Sequence, residues 1–536
     1  MTSADRPGAD GSRLPRETIP VGSAPDIPIA SHTPYRPLAR LVDALADPRR
    51  SHRTAAALLG VYALLWWGYA VIAKSTQSIH FDMGEVFSWS TALAYGYPKH
   101  PPFPAWVAAA WFAVFPRADW AYYLLSATSI TLALWFAWLI AARLVEGEKR
   151  AIALVLLALS PTFNFLPLKF NSNALLIPVW AGATWLFVRS YAERTVLAGA
   201  LAGAGAAIAM LTKYWSVFLI IGFAAGALAD RRWRDYFRSP APWASVVAGA
   251  ILFGPNVVSL VGYDFEPFKY ATDSHVDTSY AAVLAGIVNY LSGALYLAGA
   301  CVVLQLTASP SLAIWRDMLW PTDPDRRPMA VIMWSSFLSP IVVALAFEVG
   351  LNALWTMPCW SLLPALVLSA PGVHVTRRAA AAVIAVPYAV AGVALVASPL
   401  VAVAILHRPL DNLAGYHALV AHEVDRRWPQ VSHERLRYVA GPEGLAWGCT
   451  FYCQDRPLAF PSFSRTYAPW IDPAAMARDG FVGLCPQSDQ DCLAKVRDLA
   501  AGNPNAREDT IELARSLFGM TGELQRFTIL LAPPRT

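Results

Sequence analysis

The sequence predicts an α-helical polytopic membrane protein with a small α/β domain at its C-terminal end. Two properties predict the membrane part. The mean hydropathy is +0.40, with 56% hydrophobic residues, and the apolar blocks are long enough to cross about 30 Å of hydrocarbon at about 1.5 Å per residue. The third observation is a change of character at His407, beyond which polar and apolar residues alternate between turn signals. A formal charge of +5 does not suggest nucleic acid. Its excess lies in the N-terminal arm and in short loops, where positive-inside sorting puts it.

Residues 1–50 read as a disordered, basic cytoplasmic arm. They are rich in Pro, Ser and Arg and have no early apolar core of a signal peptide. Residues 51–406 read as about eleven spans: 55–73, 120–142, 151–168, 174–188, 196–211, 215–229, 242–261, 281–308, 329–350, 351–371 and 379–406. Alternate loops carry the basic residues, among them Arg143 and Arg150, Arg231 to Arg238, and Arg377 with Arg378. This parity keeps the N-terminus cytoplasmic and places residues 407–536 on the opposite side.

The soluble segment reads as helices at 416–428, 489–500 and 509–517 and strands at 437–440, 457–460, 480–485 and 526–531. Cys449 and Cys453 are close in sequence, as are Cys485 and Cys492. An oxidising compartment favours two local disulfides; a zinc site is the rival reading of the same four cysteines. Cys301 and Cys359 fall within spans and read as small buried apolar residues.

The most informative stretch follows the first span: Asp82-Met83-Gly84-Glu85, then Trp89-Ser90, Gly96-Tyr97, Lys99-His100-Pro101-Pro102 and Ala105-Trp106. It places two carboxylates, a lysine and a histidine just outside a bilayer, where ionisable groups suggest function; an ordinary wet loop would carry charge too. Residues 82–96 and 102–115 read as two helices on the outer surface, with Asp82 and Glu85 on one face.

This stretch resembles the first outer loop of bacterial family 39 glycosyltransferases, which are similar to the dolichyl-phosphate-mannose protein mannosyltransferases and the lipid A aminoarabinose transferases. Asp82, Trp89-Ser90, Gly96-Tyr97, His100-Pro101-Pro102 and Ala105-Trp106 match the family pattern in order. Met83 stands where the family usually has a second acid, and Glu85 is the candidate substitute. Phe170-Asn171-Ser172-Asn173, Leu211-Thr212-Lys213-Tyr214 and Phe253-Gly254-Pro255-Asn256 resemble later family motifs. The likeness covers roughly residues 55–300 and does not extend to the C-terminal domain.

The resemblance implies a GT-C fold, a multi-pass bacterial inner-membrane protein of the cell envelope, and an enzyme that moves a hexosyl or pentosyl group from a polyprenyl phosphate. The acceptor is a hydroxyl of a glycan, of lipid A or another lipid, or of a protein. Asp82 is the expected general base for inversion, with Glu85 beside it. His100, Lys99, Lys213 and Lys269 are the candidate donor-phosphate ligands, because cations that stabilise a departing phosphate replace a general acid. Each has a plainer reading. Lys213 fits a lysine extending from a span end, His100 fits a turn before Pro101, and Lys269 fits a solvated loop. Trp89, Tyr97, Trp106, Asn171, Asn173, Tyr214 and Asn256 are the expected substrate-lining residues. No metal or other cofactor is implied. The competing class is a transporter or flippase for a lipid-linked sugar. Such proteins usually show internal repeats and mid-span ionisable residues, and neither stands out here.

Overall fold

The computed structural model describes residues 35–275 and 279–535. Among the described residues six helices are long and apolar enough to cross a membrane: Ser51–Ala73, Asp119–Ala141, Ala241–Gly262, Tyr280–Ala308, Arg327–Phe347 and Arg377–Leu406. Each lies on an expected span. The segment expected at 151–168 instead breaks and turns by 97° between Glu148–Leu159 and Pro161–Leu168. Pro161 and Pro167 remove backbone donors there, and three short 3₁₀ turns replace a straight helix. Three other expected spans fall on shorter apolar helices, Val196–Thr212, Tyr214–Ala229 and Ala353–Leu368. The last of these is mostly 3₁₀ around Pro358. The expected span at 174–188 lies in the helix Ser172–Glu193.

Small residues set the closest helix crossing. A Cβ on Gly199 would come within 2.1 Å of the Ala241 carbonyl oxygen, and one on Gly203 within 2.0 Å of that of Ser245. The helices Val196–Thr212 and Ala241–Gly262 therefore touch backbone to backbone, and the Ser245 hydroxyl donates to the Gly199 carbonyl at 2.7 Å.

Part of the expected N-terminal arm lies outside the described residues. The stretch Tyr35–Ala46 corrects the rest, since it is an amphipathic helix rather than a disordered tail. Its residues Val42 and Leu45 are buried against the bundle, and that burial stabilises the ordered form.

The C-terminal segment carries a five-stranded sheet in the order β2-β1-β3-β5-β4. The strands are β1 (Tyr438–Gly441), β2 (Leu458–Pro461), β3 (Phe481–Pro486), β4 (Arg507–Leu517) and β5 (Met520–Ala532). β1 runs parallel to β2 and β3, whereas β5 is antiparallel to β3 and β4. Four strands lie where the sequence places strands. The helix expected at 509–517 is instead β4. Ile511, Ala514 and Leu517 mimic helical spacing, but the segment is an edge strand whose pairing with β5 decides its state. The helices Glu443–Tyr452 and Pro473–Asp479 were not read from the sequence. Both local disulfides, Cys449–Cys453 and Cys485–Cys492, are formed; of the two free cysteines Cys359 is buried as expected, whereas Cys301 lies on an exposed face of its span.

The domain is keyed onto one end of the bundle. The Tyr452 hydroxyl donates to Asp119 Oδ1 at 2.8 Å and accepts from the Ile79 N–H at 2.8 Å. Arg117 donates to the Cys453 carbonyl at 2.6 Å, which caps the end of the helix Glu443–Tyr452.

Candidate active site

A cavity of about 990 Å³ opens where the first loop, the bundle and the C-terminal domain meet. Its polar lining includes Asp82, Glu85, Lys99, His100, Asn173 and Lys213.

Asp82 sits in the first turn of the helix Phe81–Ser90. His80 caps that helix, its Nδ1 accepting from the Asp82 N–H at 3.2 Å. That role needs an unprotonated Nδ1. Burial pulls the imidazole down to about 4, with Asp82 opposing and Lys169 and Lys74 reinforcing the effect. Asn171 joins two elements. Its side-chain oxygen caps the helix Ser172–Glu193 through the Ala174 N–H at 2.9 Å, and its Nδ2 donates to Asp82 Oδ2 at 2.8 Å. Lys169 Nζ lies 3.7 Å from the same oxygen. Among the described residues Asp82 Oδ1 accepts no hydrogen bond. One carboxylate oxygen is thus held and the other is left for a ligand.

Glu85, one helical turn on, is nearly fully buried and accepts from Lys99 Nζ at 2.9 Å. Burial pushes its carboxyl up to about 7 while Lys99 counteracts. Burial also disfavours the Lys99 cation, but Glu85 and Tyr270 outweigh it and hold the ammonium charged. Lys99 lies 5.3 Å from the Tyr270 ring and 5.8 Å from that of Trp447. Such a buried pair holds its geometry strongly, because removing one partner strands the other's charge. The pair bridges the two halves of the first loop, 14 residues apart.

Lys213 stands at the break between the helices Val196–Thr212 and Val217–Ala229, in extended backbone. Its ammonium donates to Asn173 Oδ1 at 2.7 Å and lies 4.9 Å from the Trp355 ring. Among the described residues no carboxylate lies within ion-pair distance of it. Desolvation pulls it down to about 7. Tyr214 lines the cavity next to it, stacked on Phe268 at 5.1 Å.

Several expected ligands stand elsewhere. Lys269 does not line the cavity; it is exposed and pairs with Asp264, the solvated-loop arrangement. Trp89, Tyr97, Trp106 and Asn256 also miss the lining and build the wall behind it. Trp89 stacks on Tyr97 at 5.1 Å, and the Tyr97 hydroxyl donates to the Trp89 carbonyl at 2.9 Å. Trp106 donates to the Ala94 carbonyl, and Asn256 donates to the Tyr95 carbonyl and accepts from Tyr214. Their aromatic and amide groups are consumed in holding residues 89–97.

The cavity also contains residues the sequence did not single out. Trp215, Trp355 and Tyr270 supply aromatic surface. Glu443 and Asn412 come from the C-terminal segment. No protein donor hydrogen-bonds the Glu443 carboxylate among the described residues, although its charge acts on both Lys99 and Glu85. An acid at the start of a helix was the one available signal.

The sequence model of the dolichyl-phosphate-mannose-protein mannosyltransferase family matches residues 99–258. That stretch holds Lys99, His100, Asn171, Asn173 and Lys213 and bears out the family resemblance; Asp82 and Glu85 precede it. No curated protein matches the chain. Among solved structures, ArnT from Cupriavidus metallidurans bound to undecaprenyl phosphate superposes with a TM-score of 0.56 at 14% identity. The match covers 89% of this chain and 97% of that one. The apo state of the same protein gives the same values. The chain therefore has the ArnT fold over nearly its whole length and, with its long apolar helices, is a multi-pass membrane protein.

Proposed function

We propose that the chain is an inverting glycosyltransferase that moves a sugar from a polyprenyl-phosphate carrier to an acceptor hydroxyl outside the cytoplasm. The observation that carries this reading is the cavity itself. Among the described residues it combines a carboxylate with one oxygen tethered and one open, and a desolvated lysine with no counter-carboxylate. The family match over residues 99–258 and the undecaprenyl phosphate held by the ArnT of like fold support the donor class.

In this mechanism the acceptor oxygen attacks the sugar C1 and Asp82 takes its proton. The C1–O bond breaks, and the phosphate leaves with the electron pair. Lys213 and His100 stabilise the charge it gains, and Lys99, fixed by Glu85, adds a further cation. A single base suffices because the leaving phosphate needs no protonation, unlike the carboxylate pair of hydrolases. Asn171 positions Asp82, and the aromatic residues around Lys213 exclude water and strengthen its field. The basic loops support a cytoplasmic N-terminus and a periplasmic C-terminal domain in a bacterial inner membrane.

The test is purified protein in nanodiscs with a radiolabelled polyprenyl-phosphate sugar. Transfer to an acceptor extract, lost in Asp82→Asn while donor binding persists, is the expected result. Sugar-lipid movement across vesicles without any transfer would replace the enzyme reading with the transporter one. Membrane-impermeant thiol labelling of intact cells should reach a cysteine placed at the exposed Arg426 (Arg426→Cys) of the C-terminal domain; labelling only after lysis would reverse the orientation.

A further inference from the structure

The hairpin β4–β5 ends in a tip that the proposed chemistry does not use. Its base is part of the domain core, where Ile511 and Phe527 pair and are buried. Midway it rests on the end of the last span, Arg377–Leu406. Arg515 donates to the carbonyls of Ile405 at 3.0 Å and Arg408 at 2.7 Å. A Cβ on Gly522 would lie 2.7 Å from the Leu406 carbonyl oxygen. The Tyr416 hydroxyl donates to the Glu523 carbonyl at 2.7 Å. From Arg515 the strand continues three residues to the turn, about 10 Å at strand rise.

The turn is chemically unusual. Leu517 pairs with Met520, so the loop is Phe518-Gly519, with φ of 48° and 80°. Two-residue turns of this kind favour Asn, Asp or Gly, and a bulky side chain at positive φ is strained. Phe518 is 84% exposed, the most exposed large hydrophobic side chain among the described residues. Residues 516–522, Ser-Leu-Phe-Gly-Met-Thr-Gly, contain no charge. A water-facing hairpin tip would have neither reason to hold a phenylalanine in that conformation nor reason to lack charge. The last span beside it exposes Val393, Val396 and Leu400 in the same way, as a lipid-facing surface does.

We infer that the β4–β5 hairpin is a membrane anchor: Phe518, with the half-exposed Leu524 behind it, seats in the interfacial layer of the leaflet where the last span ends. The partner is the lipid surface. Arg515 fixes the hairpin to the span so that its tip meets the bilayer at a set angle. This second attachment holds the domain that supplies Glu443 and Asn412 to the cavity. Aromatic residues at the headgroup level are the usual anchors of membrane proteins.

The test uses the full chain in nanodiscs of phosphatidylethanolamine and phosphatidylglycerol, with the photocrosslinker p-benzoylphenylalanine in place of Phe518 or, as control, of Glu512 near the hairpin base. Phospholipid adducts at 518 should exceed those at 512 by about tenfold or more, the preference expected for a buried aromatic ring. Equal yields, or crosslinking of 518 to a second copy of the chain, would overturn the anchor. A nitroxide on Phe518→Cys, in a background with Cys301→Ser and Cys359→Ala, answers the same question with a smaller change at the turn. Its relaxation should respond to oxygen rather than to a water-soluble nickel chelate; the reverse response also overturns the proposal.

Discussion

The cavity has two walls of different origin. One is built by the first loop and the bundle, and its polar groups hold one another across the sequence: Asn171 on Asp82, Lys99 on Glu85, Asn173 on Lys213. The other is built by the C-terminal domain, whose Glu443 and Asn412 face the cavity from a scaffold of strands, disulfides and ring packing. Phe451 meets Phe87 at 4.9 Å across the seam, and Tyr452 meets Asp119. The first wall places its charges through cross-connected side chains, so a change to one residue disturbs its partner. The second places them through a folded unit docked as a whole. On the proposed function, the first wall performs the transfer, and the second offers the Glu443 carboxylate to whatever binds in the cavity.

The sharpest test of that division is Asp82. Asp82→Asn keeps the shape and the Asn171 contact but removes the base, and turnover should fall by about 10²–10⁴-fold with donor binding retained. Glu85→Gln should instead weaken the positioning of Lys99. If Glu85→Gln abolishes transfer while Asp82→Asn works normally, the two acids exchange roles.

Lys213→Met should cost about 10²–10³-fold in kcat, the scale of losing one donor to a developing anion. The pH dependence has a definite sign. The lysine is held down to about 7, so its cation is present below that pH and lost above it. Donor affinity of the wild type should therefore fall as pH rises through about 7, measured by titration of polyprenyl phosphate. In Lys213→Met this step should vanish; a step that persists belongs to another group.

Glu443→Gln probes the second wall. A charged hydrogen bond to the acceptor or sugar is worth about tenfold in affinity. The expected outcome is a rise in KM of that order with kcat nearly unchanged. A large fall in kcat at constant KM would erase the distinction between the walls.

The smallest effect on activity should come from the disulfides. Replacing Cys449 and Cys453 by Ser opens a short loop, which costs about 2 kcal/mol of domain stability in the chain-entropy account. Thermal melting of the purified protein should shift down by several degrees, with turnover at low temperature retained. Lost turnover in a folded variant would mean that the helix Glu443–Tyr452 acts more directly at the cavity.

Much of the first wall was legible in the sequence because its parts are local signals. Asp82 and Glu85 are three residues apart on one helix, and Asn171 and Lys213 stand in short segments that resemble family motifs. Within the C-terminal domain, local periodicity found β1, β2, β3 and β5 and both cysteine pairs. It failed at β4, where an edge strand has helical spacing and only its partner reveals the pairing. It also did not reveal that Lys269, Trp89, Tyr97, Trp106 and Asn256 stand outside the cavity lining, because residue type does not say whether an indole, phenol, amide or ammonium is spent on a neighbour.

By itself the sequence determined that the chain enters a membrane, that a soluble α/β unit follows, and that charge gathers after the first span. These follow from hydropathy, turn chemistry and helix periodicity, which act over a few residues. The tertiary structure alone decided that Asn171 restrains one oxygen of Asp82 from 89 residues away. It also decided that Lys213 has no carboxylate within ion-pair distance among the described residues, that Glu443 reaches the cavity, and that Arg515 ties the β4–β5 hairpin to the end of the last span. Each depends on which distant groups share a low-dielectric space, and that is set by packing and not by neighbours in the chain.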